Sequence, residues 1–397
     1  MPWKITSLVR ARQQLVELML ARRQTIQTLC RRFNVSRKTA YKWRARFRQR
    51  GVLGLRDHSR RPRRSPRRLA ATWVKVIRQW HRRRSHWGPK KIRHRLRQIF
   101  PRRCVPCARS IQRCLQRWQR GTPRPRRARK GPRLPTPGLT RPTRPNQVWT
   151  VDFKGWFRTA DGQRQEPLTV RDLFSRFGLC VRLLPSQDDA RVRQVFQRLF
   201  RQRGLPASIR ADNGSPFAGT GALGLSRLSV WWLRLGIRVE FTRRARPGDN
   251  AAHEQFHGCY QRQVVATGGS HRRSMQPRST RWLRDYNQDR PHEALNQRTP
   301  AEVYRPSRRP YPRVLPPLVY PKAWGLRRVR NRGQVHWQGR LRFIGRAFVG
   351  QRLGFKPTGE QQGEVYLGKQ LIGQLHSKDA GGLRPAHWQR QESLKVN

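Results

Sequence analysis

The chain has 397 residues, with 90 Lys plus Arg against 20 Asp plus Glu, a formal net charge of +70 and 35% hydrophobic residues. That apolar share supports two to four modest domain cores and excludes a chain disordered throughout, while the charge makes the isolated chain self-repelling and calls for a polyanionic partner, nucleic acid before an anionic membrane. No apolar run reaches the roughly 18 residues that span a bilayer, and Met1-Pro2-Trp3-Lys4 does not open a secretory signal, so the expected location is the cytoplasm.

Residues 6 to 51 read as three helices. The first carries Leu8, Leu15, Leu18 and Met19 on one stripe, the second turns Ile26 and Leu29 inward over residues 25 to 33, and Asn34-Val35 makes the turn. Ser36 caps a third helix over residues 37 to 48, which buries Ala40, Trp43 and Phe47 and ends at Gly51. This is a helix-turn-helix pattern. It presents Ser36, Arg37, Lys38, Thr39, Lys42 and Arg44 as candidate DNA contacts, because the start of such a third helix reaches base edges in the major groove. A plain three-helix bundle is the alternative.

Residues 56 to 68 form a basic, Pro-containing linker suited to tracking phosphates. From 69 to 121 a second helical unit follows, with Val74, Ile77 and Trp80, then Trp87-Gly88-Pro89 with Ile92 and Leu96, then Ile111, Leu115 and Trp118 at i, i+4 and i+7. Its candidate DNA contacts are Lys90, Lys91 and Arg113. The six cysteines are irregularly spaced and read as reduced thiols; the lone Cys104-Val105-Pro106-Cys107, with only His94 near it, reads as incidental rather than as a zinc site. Residues 122 to 146, rich in Pro, Arg and Thr, read as an extended tether.

Three carboxylates then appear in separate settings. Asp152 ends the apolar run Gln147-Val148-Trp149-Thr150-Val151-Asp152, Asp212 ends a short strand at an Asn213-Gly214 turn, and Glu254 follows Asp249-Asn250 at the start of a helix. Two strand ends and one helix can bring the three together, at intervals of 60 and 42 positions. Like charges so placed repel unless cations neutralise them, and hard carboxylate oxygens suit Mg²⁺ or Mn²⁺. A pair of such ions serves phosphodiester chemistry. Between the acids lie a turn at Asp161-Gly162, strands at 167 to 170 and 178 to 184, a helix over 190 to 202, a helix carrying Leu223, Leu225, Leu228, Trp231, Trp232 and Leu235, and a strand at 236 to 241.

Trp149-Thr150-Val151-Asp152-Phe153-Lys154-Gly155, Ala211-Asp212-Asn213-Gly214-Ser215-Pro216-Phe217 and Asn250-Ala251-Ala252-His253-Glu254, in that order, resemble the integrase core of insertion-sequence transposases. The block Tyr286-Asn287-Gln288-Asp289-Arg290-Pro291-His292, with Thr299-Pro300 and Tyr304, resembles the segment after the catalytic Glu, and Trp87-Gly88-Pro89 with Ile92 and Leu96 resembles a second helix-turn-helix of the same enzymes. The resemblance implies an RNase H-like fold in which Asp152, Asp212 and Glu254 are the catalytic, metal-binding triad of a DDE transposase. It also implies a structural role for Asp172, and leaves His253 and His257 outside the triad as contacts of substrate or solvent. Two departures stand out: the loop from 244 to 250 is short for the family, and Gly258 sits in the helix after Glu254.

Period-two patterning returns from 311 to 385, with Val335 and Trp337, Leu341 and Phe343, Leu353 and Phe355, and Val365 and Leu367 as inward pairs of a small β-barrel. The expected organisation is a helix-turn-helix domain at 1 to 55, the linker at 56 to 68, the second helical unit at 69 to 121, the tether at 122 to 146, an α/β RNase H-like catalytic core at 147 to 310, the β domain at 311 to 385 and a tail at 386 to 397. The expected function is cleavage and strand transfer at the ends of a mobile element, with two Mg²⁺ or Mn²⁺ ions, by a homodimer or higher multimer on terminal-repeat and target DNA, nucleoid-associated and without membrane contact. A noncatalytic end-binding protein is the alternative.

Overall fold

The computed structural model describes residues 8–58, 69–118, 139–243, 247–379 and 382–386. Linker residues 59–68, tether residues up to 138, loop residues 244–246 and the tail from 387 lie outside the described residues. The chain divides into two units, Met1–Ala71 and Thr72–Asn397.

In the first unit, α1 (Leu8–Ala21), α2 (Ile26–Arg32) and α3 (Arg37–Arg50) pack around Leu15, Met19, Leu29, Phe33 and Ala40, while Trp43 closes over Val16 and Leu55. Leu8, assigned to the buried stripe, is instead exposed, since it opens the first turn of α1. Thr25 and Ser36 cap α2 and α3, their hydroxyls accepting from Thr28 N and Thr39 N at 3.3 and 3.2 Å. The turn after α3 presses against it so closely that a Cβ on Gly54 would fall 2.2 Å from Arg46 O.

The second unit begins with α4 (Ala71–Arg83), α5 (Pro89–Ile99) and α6 (Ala108–Trp118), which bury Ile77, Ile92, Leu96, Ile111 and Leu115. These helices meet the core through charge. Arg84 donates to Asp285 at 3.0 Å and Asp289 at 2.7 Å, and Lys90 to Glu293 at 2.8 Å.

The core is a mixed sheet. Strands β1 (Val148–Phe153), β2 (Phe157–Arg158), β3 (Arg164–Asp172) and β4 (Gly178–Leu184) are antiparallel neighbours, β1 and the short β2 both pairing with β3 and β4 taking its other edge. Helix α7 (Asp189–Arg203) then returns the chain so that β5 (Ser208–Ala211) lies parallel to β1, and α8 (Arg227–Arg234) does the same for β6 (Arg238–Phe241) beside β5. One layer packs Phe196, Phe200, Leu228, Trp231 and Trp232 on Trp149, Val151, Leu168 and Ile209. Another packs Phe256 and Tyr260 of α9 (Ala251–Gln263) and Trp282 and Tyr286 of α10 (Arg272–Gln288) on Val181 and Leu183. A short α11 (Pro300–Val303) follows.

Further expectations need correction. The stretch from 139 to 146 is no tether but part of the core: the Thr140 carbonyl accepts from Arg210 at 2.6 Å and Asn146 N donates to Asp172 Oδ1 at 2.7 Å. The helix read from 223 to 235 starts only at Arg227, because Ser226 caps it and Leu223, at φ 57°, turns the chain so that Leu223 and Leu225 enter the C-terminal core.

Among the described residues the C-terminal strands do not close into the expected barrel. Strands β7 (Gly325–Arg328), β10 (Arg352–Gly359), β11 (Gln362–Leu367), β12 (Gln370–His376) and β13 (Arg384–Pro385) make an antiparallel sheet, while β8 (Gln334–Trp337) and β9 (Arg340–Phe343) pair only with each other. The path ends at β7 and β13, so no closed sheet exists among the described residues. In β9 the faces are also reversed. Leu341 and Phe343 are exposed and Arg342 is buried, its two terminal nitrogens donating to the Asp379 and Ser377 carbonyls.

Glu240 is buried between Arg210 and Arg238, at 2.9 and 3.4 Å. Glu240→Gln is expected to destabilise the protein by about 3 kcal/mol, because the buried Arg210 charge loses its partner; a denaturant midpoint equal to wild type would refute this. A Cβ added at Gly258, within α9, would meet only the flexible Arg262 side chain, at 3.4 Å. Gly258→Ala should therefore raise stability by about 1 kcal/mol, read as an upward shift in melting temperature.

Candidate active site

The parallel pairing of β1 with β5 sets the site. Val148, Trp149 and Thr150 lie opposite Ser208, Ile209 and Arg210, so continuing the register brings Asp152 level with Asp212 at the ends of adjacent strands. The start of α9 lies against them. Asn250 Nδ2 donates to Asp152 Oδ2 at 3.4 Å, His257 Nδ1 stands 3.9 Å from the same oxygen, and Glu254, in the first turn, is exposed to solvent.

Burial raises the Asp152 carboxyl to about 7, with further upward pushes from Asp212 and then Glu254. Asp212 is raised as well, chiefly by burial, and its buried Oδ1 has no hydrogen-bond partner. The buried Oδ1 of Asn250 is likewise unpaired. Hard oxygen donors left unsatisfied around a repelling carboxylate pair fit a divalent cation. In this arrangement the set is still open: among the described residues, no three His, Cys, Asp or Glu side chains converge closely enough to hold a metal.

Behind Asp152 lies a buried polar network that sequence reasoning did not find. Thr169 sits opposite Asp152 in the β1–β3 register and donates its hydroxyl to the Asp152 carbonyl at 3.0 Å. Its one proton thus used, Thr169 Oγ1 accepts from both imidazoles, His253 Nε2 at 2.5 Å and His257 Nε2 at 2.7 Å. His253 Nδ1 then accepts from the Thr150 hydroxyl at 2.8 Å. Burial drives the pKa of His257 down to about 3 and that of His253 well below its ordinary value, so both rings are neutral. The expectation that these histidines face substrate or solvent is corrected: His253 is fully buried and His257 nearly so, because α9 lays that face on the sheet. The available signal was two threonines, Thr150 and Thr169, within apolar strand runs.

Asp172 stands apart from the site. It accepts from Asn146 N and Ser175 N at 2.7 Å each and from Ser175 Oγ at 2.5 Å. Residues 244–246 lie outside the described residues, but their flanks are joined: Arg243 grips Asp249 through Nε at 3.0 Å and Nη2 at 2.9 Å. Of the candidate DNA contacts, Ser36, Arg37, Lys38 and Lys42 are exposed on α3, Thr39 and Arg44 half-buried. Arg113 is exposed on α6, Lys90 is held by Glu293, and Lys91 is half-buried with its pKa lowered to about 8 by burial and then by Arg290. Cys104 and Cys107 are exposed free thiols.

Comparison with known proteins matches several segments of the chain to families. The integrase core domain matches residues 142–247 and, through a second family description, 235–300. A helix-turn-helix domain matches 11–63 and a homeodomain-like domain 39–115. The chain is thus a helix-turn-helix protein with an integrase core. Residues 325–380 match the C-terminal domain of IS481 family transposases.

Among relatives, the chain is 30% identical over 183 residues to the uncharacterized 31.7 kDa protein of insertion element IS407 from Burkholderia multivorans, covering 45% of this chain and 62% of that protein. It is 27% identical over 183 residues to the uncharacterized 39.2 kDa protein of insertion element IS476 from Xanthomonas euvesicatoria, again 45% of this chain and 50% of that one. The matches thus span less than two thirds of either relative. Solved structures with some likeness include the HTLV-2 integrase catalytic core domain in complex with magnesium (14% identity, TM-score 0.34, 42% of this chain and 100% of that chain). A simian T-cell lymphotropic virus intasome in complex with a PP2A regulatory subunit is also similar (16% identity, TM-score 0.37, 74% and 97%). These likenesses are too loose to transfer residue roles.

The raised Asp152 carboxyl gives a signed expectation for metal-free protein. Below about pH 4 it is protonated in folded and unfolded chains alike; between about 4 and 7 only the unfolded chain releases the proton, so wild type loses about 1.4 kcal/mol per pH unit, and above about 7 the loss is constant. Asp152→Asn removes this penalty. The variant should melt above wild type near pH 8 and together with it near pH 4; equal melting at both would show that Asp152 is not strained.

Proposed function

We propose that the protein is a DNA transposase that cleaves and joins DNA at the ends of its own mobile element. The observation carrying this reading is the level placement of Asp152 and Asp212 on adjacent strand ends with Glu254 entering from α9, the Asp152 carboxyl being raised by burial and then by both other acids. The two helical units would read the terminal repeats, with Ser36, Arg37, Lys38, Thr39, Lys42 and Arg44 on α3 and Lys90, Lys91 and Arg113 in the second unit as contacts. Lys90 would exchange Glu293 for phosphate. Joining two ends in one event implies at least a dimer.

Asp152, Asp212 and Glu254 would hold the divalent cations, Mg²⁺ or Mn²⁺. Such ions, when bound, supply Lewis acidity to the phosphoryl group and favour the ionised form of the attacking oxygen. The chain's own residues position this chemistry. Thr169 fixes the Asp152 backbone through its carbonyl, the neutral imidazoles of His253 and His257 fix Thr169, and Asn250 holds one oxygen of the Asp152 carboxyl. In the net reaction, water cleaves one phosphodiester and leaves a 3′-hydroxyl, which then replaces the 3′-oxygen in a phosphodiester of target DNA. The joining step conserves the number of phosphodiesters and needs no external energy source.

A second reading, a protein that occupies ends without cutting, draws on the exposure of Glu254 and the open carboxylate set. A strand-transfer assay on the element's own ends with Mg²⁺ or Mn²⁺ separates the two. Glu254→Gln is expected to reduce joined product about 10²–10⁴-fold, the range for removing a positioned catalytic group, with end binding retained. Binding by wild type without cleavage or joining under either metal would establish the second reading.

A further inference from the structure

Where α4 and α5 meet the core, a cleft of about 560 Å³ is lined by Arg84, Arg262, Arg278, Arg281 and Arg290, with Asp285 as its one acidic wall residue. Arg84 already takes Asp285, and Asp289 beside it. Arg262, Arg278 and Arg290 meet neutral partners. Arg278 donates to the Gly268 carbonyl and the Thr267 hydroxyl, and Arg262 and Arg290 each reach Cys259 Sγ, at 3.9 and 3.2 Å. The buried Nε and Nη1 of Arg290 have no hydrogen-bond partner. Half-buried Lys91 also lies in the field of Arg290.

Cations crowded together with unspent donors are stabilised by an anion, and planar guanidinium forks suit phosphate oxygens. We propose that this cleft seats a phosphodiester of the DNA backbone, bound between the second helical unit and the core by Arg262, Arg281 and Arg290.

The assignment rests on the DNA-acting reading above and goes beyond it in naming where a strand is gripped. DNA is favoured over a free anion because α4 ends in His81, Arg82 and Arg83 beside the cleft, extending the positive surface along a path that a polymer can follow. Helix α9 joins the cleft to the active site. Glu254 lies in its first turn and Arg262 in its last, about 12 Å apart along the axis at the usual helical rise. A phosphate held at one end would bear on the carboxylate at the other through a single rigid element.

The test uses the full chain and a fluorescent duplex of about 30 base pairs, with affinity followed over a range of NaCl concentrations. Arg262 and Arg281 are exposed, so Arg262→Gln/Arg281→Gln should keep the wild-type melting temperature. The double variant is expected to bind several-fold more weakly and to lose about one unit from the slope of log affinity against log salt, as for one lost phosphate contact. Arg290→Gln should do the same, and its melting curve reports whether it folds. Unchanged slope and affinity in the double variant would overturn the proposal. So would a cleft that serves inorganic phosphate alone, seen as wild-type stabilisation by millimolar phosphate that the double variant lacks, with duplex binding equal in both. The joining assay is independent: wild type that binds with a normal salt slope but joins nothing, or Glu254→Gln that joins as well as wild type, would refute the catalytic reading and leave the cleft in place.

Discussion

In a chain with 90 cationic side chains and 20 acidic ones, the constraint on which the structure depends is where each carboxylate goes. Many act as rivets. Asp57 holds Arg12, Glu166 holds Arg164, Glu240 holds Arg210, and Asp285, Asp289 and Glu293 hold the second helical unit to the core. Among the described residues, Asp152, Asp212 and Glu254 have no Arg or Lys at ion-pair distance. Two of these acids end adjacent strands, and the third projects from the first turn of a helix. Buried Arg171 is spent on the Ala252 carbonyl in the first turn of α9 rather than on a site carboxylate.

Helix α9 unites otherwise separate tasks. Phe256 and Tyr260 anchor it in the apolar layer against β4 and α10, while His253 and His257 on the same side reach Thr169 and through it the backbone of Asp152. Packing and positioning therefore share one face. A shift of α9 along the sheet would disturb hydrophobic contacts and the Thr169 network together, which makes the relative placement of Asp152 and the start of α9 a property of the core rather than of a surface loop.

Much of this was legible in the sequence. The apolar runs ending in Asp152 and Asp212, the capped helices of the first unit and the order of core strands follow from local patterning and turn residues. Failures occurred where a distant partner changes the meaning of a local pattern. Arg342 is buried only because carbonyls from Ser377 and Asp379 await it, and no period-two count in β9 reveals them. Leu223 and Leu225 look like one helix with Leu228, yet they serve another core across a left-handed turn. Thr140 leaves the apparent tether because Arg210 and Glu240 need hydrogen-bond partners in the core. The neutral His253–Thr169–His257 network depends on α9 crossing β3, a contact between residues 84 and 88 positions apart.

The Arg243–Asp249 clasp bears on how such a protein tolerates change. It ties the chain just after β6 to the turn that opens α9, so the start of that helix is held by a contact between Arg243 and Asp249. A change of length between positions 243 and 249 is thus expected to leave the active-site helix in place as long as this ion pair is kept.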